Sequence, residues 1–209
     1  MTTWASFLNG VRVYLNDTRD TPKYSDELIY LYTCDALRDY SNWFPLVSRE
    51  EIDPVSGAYP IPDDLLDIRS VEIPEGTYLK TRVARPGYKF RTLTNPSLYW
   101  QIGDSIYLNA STTDPIYLTY GAYHTVPTSE DDDTFTFTVP EGDMELINLY
   151  VRAQCLEQTR SRQANLDRFK RRGERDDNPL IIETKTLMDE YYSKIAERSK
   201  GGVVYLYGV

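Results

Sequence analysis

Few residues in this chain are of types that do chemistry, and their spacing argues against most of it. His124 is the single histidine, the commonest acid/base residue type. It stands alone at the end of a predicted strand, beside Gly121-Ala122-Tyr123 and Thr125-Val126-Pro127. A surface or hydrogen-bonding role fits that setting better than catalysis. Ser129–Asp133 (SEDDD) offers carboxylates to calcium or magnesium, but it lacks the spaced ligands and turn glycine of a dedicated calcium loop. It reads as a solvated loop. Asp63 and Asp64 after Pro62 are adjacent acids on one turn, which does not place them facing each other across a sugar; they read as a capped turn. No Gly-rich phosphate loop and no Gly-x-Ser-x-Gly elbow is present. Cys34 and Cys155 fall on the apolar side of predicted helices and read as buried free thiols. The expectation is no catalytic residue, no metal site and no cofactor: not an enzyme.

Two stretches suggest binding instead. Residues 160–175 hold seven basic and two acidic groups, the basic ones being Arg160, Arg162, Arg168, Lys170, Arg171, Arg172 and Arg175. They could contact phosphates, form an ion-paired subunit interface, or make a solvated helix face. The second stretch is the end of the chain: Gly201 and Gly202, then Val203, Val204, Tyr205, Leu206, Tyr207, Gly208 and Val209. This run is β-prone and uncharged, and far shorter than the roughly 20 apolar residues of a membrane span. Such a tail is an aggregation hazard unless something covers it. It could also fold back as a strand of its own domain.

The elements that position these residues follow from periodicity. Trp4, Phe7, Leu8, Val11, Tyr14 and Leu15 predict a helix over 3–16. A second starts at Ser25 as N-cap, with Tyr24 and Ile29 placed as a staple. Its stripe is Ile29, Tyr32, Ala36, Tyr40 and Trp43, and Pro45 ends it. Residues 47–140 change character, holding 9 of the 12 prolines and reading with period two. YLKTRV and YKFRTL, joined at Pro86-Gly87, read as one pair of strands. LYWQI and SIYLN around Gly103-Asp104 read as a two-residue hairpin; PIYLTYGAY and TFTFTV supply further strands. Helical spacing returns at Asp143 with a wide apolar face, and again after Asn178-Pro179, up to Lys200; Gly201-Gly202 is expected to stop it.

The resulting fold class is α+β: an α-helical bundle of about four helices, an antiparallel β-domain inserted between helices 2 and 3, and an extended C-terminal arm. Its expected parts are 1–46 and 141–200 for the bundle, 47–140 for the insertion and 201–209 for the arm. The net charge of −9 argues against general nucleic-acid affinity. Eighteen tyrosines against six phenylalanines suit half-wet interfaces or a tyrosine-rich β core. The N-terminus lacks a basic lead followed by an apolar core, so no signal peptide is expected.

This order of parts resembles the head-to-tail connector (adaptor) proteins of tailed bacteriophages. The likeness lies in FLNGVRVYLND (7–17), YSDELIYLYTCDALRDYSNWFP (24–45), YPIPDDLLDIRSVEI (59–73), YWQIGDSIYLN with PIYLTYGAY, LYVRAQCLEQ and DEYYSKIAER. It implies a ring, typically of twelve copies, docked beneath the portal protein in the virion neck, without catalytic activity and made in the host bacterial cytoplasm. The ring would extend the channel for genomic DNA, which passes without sequence-specific binding, and present a platform to a downstream tail or nozzle protein. No membrane is involved. Residues 201–209 would be a portal-docking arm hinged at Gly201-Gly202. Two other readings stand beside it: a carbohydrate-binding accessory protein using the tyrosine-rich β block, and a nucleic-acid binder using the basic helix.

Overall fold

The computed structural model describes residues 2–82, 95–110, 112–167 and 179–202, with 160, 162–167, 179–181 and 200–202 described by backbone alone. The chain divides into two units, one from residues 1–44 and 124–209, the other from Pro45–Tyr123.

The first unit holds four helices: α1 Trp4–Tyr14, α2 Asp26–Trp43, α3 Met144–Asp167 and α4 Pro179–Gly202. A 3-10 turn, Glu141–Asp143, leads into α3. Helix α1 starts at Thr3, whose side chain accepts from the Ser6 N–H, and α2 starts at Ser25, which does the same for Leu28. Such caps satisfy N–H groups that have no partner inside the helix. The link between α1 and α2 is built around Asp17, a buried carboxylate that accepts from the Lys23 and Tyr24 N–H groups at 2.8 and 3.0 Å. Arg12 pairs with Asp17 and Asp26 and donates to the Tyr24 carbonyl at 3.2 Å.

Helix α3 is the centre of this unit and packs against α1, α2 and α4. Leu146, Ile147, Leu149, Val151, Ala153 and Cys155 are buried around it, as its wide apolar face predicts. The stripes of α1 and α2 are shifted from expectation. Tyr14 is 65% and Trp43 50% exposed, whereas Leu37, which the stripe omitted, is fully buried. A helix of 3.6 residues per turn drifts against a fixed spacing, so the end positions rotate off the covered face. Helix α4 contributes a narrower stripe of Leu187, Tyr191 and Ile195.

Residues 124–140 belong with the helices rather than with the 47–140 insertion. Phe137 and Val139 are buried in the helical core, and Phe137 lies 5.0 Å from Phe7, ring to ring. TFTFTV is thus no strand; it makes one isolated bridge, Thr3 with Thr136. Its phenylalanines are drawn to the larger apolar surface of the helices, worth about 25 cal/mol per Å² buried.

The second unit holds two sheets. Strands β1 Leu46–Ile52, β7 Ile116–Ala122 and β3 Leu65–Glu72 form one, in the order β1-β7-β3 and antiparallel throughout. Strands β2 Tyr59–Pro60, β6 Ser105–Leu108, β5 Leu98–Ile102 and β4 Lys80–Thr81 form the other. The β5–β6 hairpin pairs Ile102 with Ser105 across Gly103-Asp104, and Gly103 has φ of +56°, as a two-residue loop requires. Strand β4 runs parallel to β5, unlike the rest. The other strand of the expected pair, YKFRTL, lies outside the described residues. Ile106, Ile116, Leu118 and Tyr120 centre the core. A Cβ on Gly121 would meet Asp67 Oδ1 at 2.1 Å and Pro45 Cβ at 3.0 Å, so this position admits no side chain without displacing Asp67.

Helix α4 runs through Gly201-Gly202 instead of stopping at Lys200. The two glycines are its last residues, at the end of a helix where glycine is common.

Candidate interaction surfaces

The candidate catalytic groups are used up structurally. His124 is buried. Its Nε2 lies 2.9 Å from the Phe44 carbonyl, which can only accept, so Nε2 carries the proton. Nδ1 is 2.9 Å from the Thr138 hydroxyl, and the backbone N–H donates to Ser41. The imidazole ties the end of α2 to the segment entering α3. Burial lowers its pKa. The folded pKa therefore lies below the unfolded one, near 6.5, and protonation favours the unfolded chain. Full stability is present above pH 6.5 and declines as the pH falls through the unfolded value. The melting temperature is expected to drop between pH 7.5 and 5.0, and His124→Gln is expected to flatten that dependence; equal slopes for both chains would contradict it.

In the acidic loop, Asp132 accepts from the Thr128 N–H and hydroxyl and from Thr134, and these bonds hold its carboxyl below the usual range. Trp4 Nε1 donates to the Glu130 carbonyl at 2.6 Å, fixing the loop on the helical core. Asp64 accepts from Tyr120, whose hydroxyl also donates to Glu50. Burial, foremost, pushes Tyr120 up to about 12. Among the described residues no group of three metal-ligating side chains converges, and no helix is long and apolar enough to cross a membrane. Cys34 and Cys155 are both buried as free thiols; burial is the main cause that raises both, Cys155 to about 12.

Of the basic segment, Arg160 and Arg162 lie on the backbone of α3, while Arg168, Lys170, Arg171, Arg172 and Arg175 are outside the described residues. Val203, Val204, Tyr205, Leu206, Tyr207, Gly208 and Val209 are outside them too. What is described is the root of that tail. Arg198 pairs with Asp143 and donates to the Gly142 carbonyl at 2.7 Å. The same Asp143 carboxylate accepts from the buried Tyr40 hydroxyl at 2.5 Å. Burial pushes Tyr40 up to about 12, against the lowering effect of Arg198. One turn earlier Lys194 bridges Glu145 at 2.8 Å and Glu190 at 2.9 Å. Further down, Tyr191 donates to Asp39 at 2.6 Å; burial and that carboxylate raise its pKa strongly. Helix α4 is thereby fastened to α2 and to the start of α3 along its second half.

The sequence reading missed this fastening. The Glu190/Lys194 spacing was visible as an i,i+4 pair; the partners Asp143, Glu145 and Tyr40 carry no local signal. Trp43 near the end of α2 and Tyr192 on α4 are each about half exposed.

Compared with known families, residues 2–187 match the SU10 adaptor protein family. The chain belongs to that family. The match spans both units and ends inside α4, so Lys194, Arg198 and the tail lie beyond it. No curated protein matches the chain. An SU10 adaptor is a bacteriophage adaptor protein, a virion component that associates with other head and tail proteins. The resemblance read from the helices and the central hairpin thus holds at the level of the family.

Proposed function

We propose that this SU10 adaptor forms a ring beneath the portal, joins the capsid to the tail and extends the channel for DNA. The match over residues 2–187 carries the reading. The charge supports it: a chain with a net charge of −9 disfavours tight non-specific binding of phosphates, which suits a channel through which DNA slides. The ring has twelve copies in this reading and sits in the virion neck, with no catalytic step of its own. Residues 201–209 are its portal-docking arm, and the basic groups of 160–175 face a protein, either the portal or a neighbouring copy. The opposite face receives the downstream tail or nozzle protein.

For the carbohydrate-binding reading, Tyr59, Tyr99 and Tyr120 of the β unit are core residues, while Tyr78 and Tyr123 are exposed.

The test is binding to the portal assembly of the same phage. Sedimentation with portal is expected to carry the chain along, and negative-stain images are expected to show an added ring. A chain that stays in the supernatant across micromolar concentrations would overturn the proposal. A monomeric mass in the absence of portal is compatible with assembly on a template.

A further inference from the structure

Arg152 on α3 is a cation that the fold holds but does not use. Its guanidinium carbon lies 4.9 Å from the centre of the Tyr14 ring at the end of α1, within the range of a cation–π contact. Its Nε is buried without a hydrogen-bond partner, and among the described residues the guanidinium makes no hydrogen bond and no ion pair. One turn before it, Asn148 is 9% exposed, and its side-chain amide has no hydrogen-bond partner among the described residues either. Polar groups left so are costly, and the planar fork of a guanidinium suits a carboxylate. Tyr14 and its neighbour Val13 are exposed. An aromatic ring with an arginine beside it is the pairing of residue types that carries most protein interfaces.

The matching acids stand at the other end of α1. Glu130, Asp131 and Asp133 take part in no ion pair among the described residues, and Asp131 and Asp133 are exposed. Their loop is shaped before any partner arrives: Trp4 Nε1 donates to the Glu130 carbonyl, and Asp132 accepts from Thr128 and Thr134. Trp4 and Tyr14 are the first and last residues of α1. At 1.5 Å per residue their backbones are about 15 Å apart along the axis.

We infer that these two ends meet between copies: Arg152 of one chain receives the acidic loop 129–133 of its neighbour, through Asp131 and Asp133. A patch that fits a different patch on the next copy makes a head-to-tail contact, and such contacts generate rings when the rotation closes. A contact between identical patches would instead set arginine against arginine and acid against acid. Tyr14 keeps the guanidinium placed for the carboxylates, and a placed group loses less freedom on association. The inference rests on the ring of the proposed function and names the contact between its subunits.

The experiment counts portal assemblies that carry an added ring in negative-stain images, over a range of chain concentrations. Four full-length chains are compared: wild type, Arg152→Glu, Asp131→Lys with Asp133→Lys, and all three substitutions together. Asp131 and Asp133 are exposed, and the side-chain bonds that shape their loop come from Asp132, so the loop variant is expected to melt with the wild type. The concentration that fills half the portals is expected to rise at least about tenfold in each one-sided variant, because like charges then face each other across every contact. The three substitutions together restore opposite charges, and the half-filling concentration is expected to return to within about threefold of the wild type. Wild-type filling by the loop variant would overturn the contact and leave the ring standing. Loss in both one-sided variants without recovery in the combined chain would overturn the pairing of Arg152 with the loop. A wild-type chain that adds no ring would sink the proposed function, and this contact with it.

Discussion

A chain ending at Lys200 is expected to bind the portal assembly about 100-fold more weakly than the full chain. The deleted residues include six large apolar or aromatic side chains, Val203, Val204, Tyr205, Leu206, Tyr207 and Val209. Covering such side chains is worth roughly 1.5–3 kcal/mol each. Ordering the backbone of the seven residues after Gly202 costs about 1–2 kcal/mol per residue. The difference is a few kcal/mol, and about 1.4 kcal/mol is a factor of ten. The fold should not notice: among the described residues the last buried side chain of α4 is Ile195, which the shortened chain keeps. Circular dichroism and melting of the shortened chain are therefore expected to match the full chain within error. Equal binding of the two chains would remove the arm from the contact and move attention to the basic groups of 160–175. Replacing Tyr205 and Tyr207 by serine is the milder variant, and an intermediate loss is expected there.

The largest expected effect on stability is at Trp4. Its side chain is 1% exposed, packs at right angles on Tyr30 with centroids 6.3 Å apart, and donates to the Glu130 carbonyl. Trp4→Ala removes that packing, opens a cavity beside α1, and leaves the acidic loop without its anchor. Truncations of this size cost about 3–5 kcal/mol. For a chain of this length the melting transition of the helical unit is expected to fall by roughly 10 °C. Trp4→Phe keeps most of the apolar volume but loses the donor, so a drop of about a third of that is expected. Differential scanning calorimetry reads both. A change below about 1 kcal/mol for the alanine variant would mean that the first helix is peripheral to the fold, contrary to the packing seen.

Much of this protein follows from local rules written in the chain. Ser25, with Asp26 and Glu27 behind it, starts α2 whatever surrounds it, because a cap satisfies N–H groups within four residues of itself. Gly103-Asp104 between two alternating runs makes a hairpin for the same kind of reason: only the turn geometry is needed. The wide apolar face after Asp143 sufficed to place α3 at the centre, since a helix apolar over most of its circumference has to be covered. The order of these parts was enough to indicate the family. Other features depended on what lies far away in sequence. TFTFTV alternates like a strand, yet its phenylalanines join the helical core, because burial against a larger apolar surface outweighs a weak β preference. His124 has the type of a catalyst, and only the approach of Phe44, Ser41 and Thr138 shows it spent on holding two segments together. Gly201-Gly202 reads as a stop because intrinsic propensity disfavours a helix there. Helix α4 includes both glycines before the described residues end, and the contacts that fasten its second half, Tyr191 with Asp39 and Lys194 with Glu145, come from residues far away in sequence. Propensity and patterning act over a turn or two. The fastening of α4, the histidine tie and the burial of the phenylalanines are long-range contacts, and those exist only once the chain has folded.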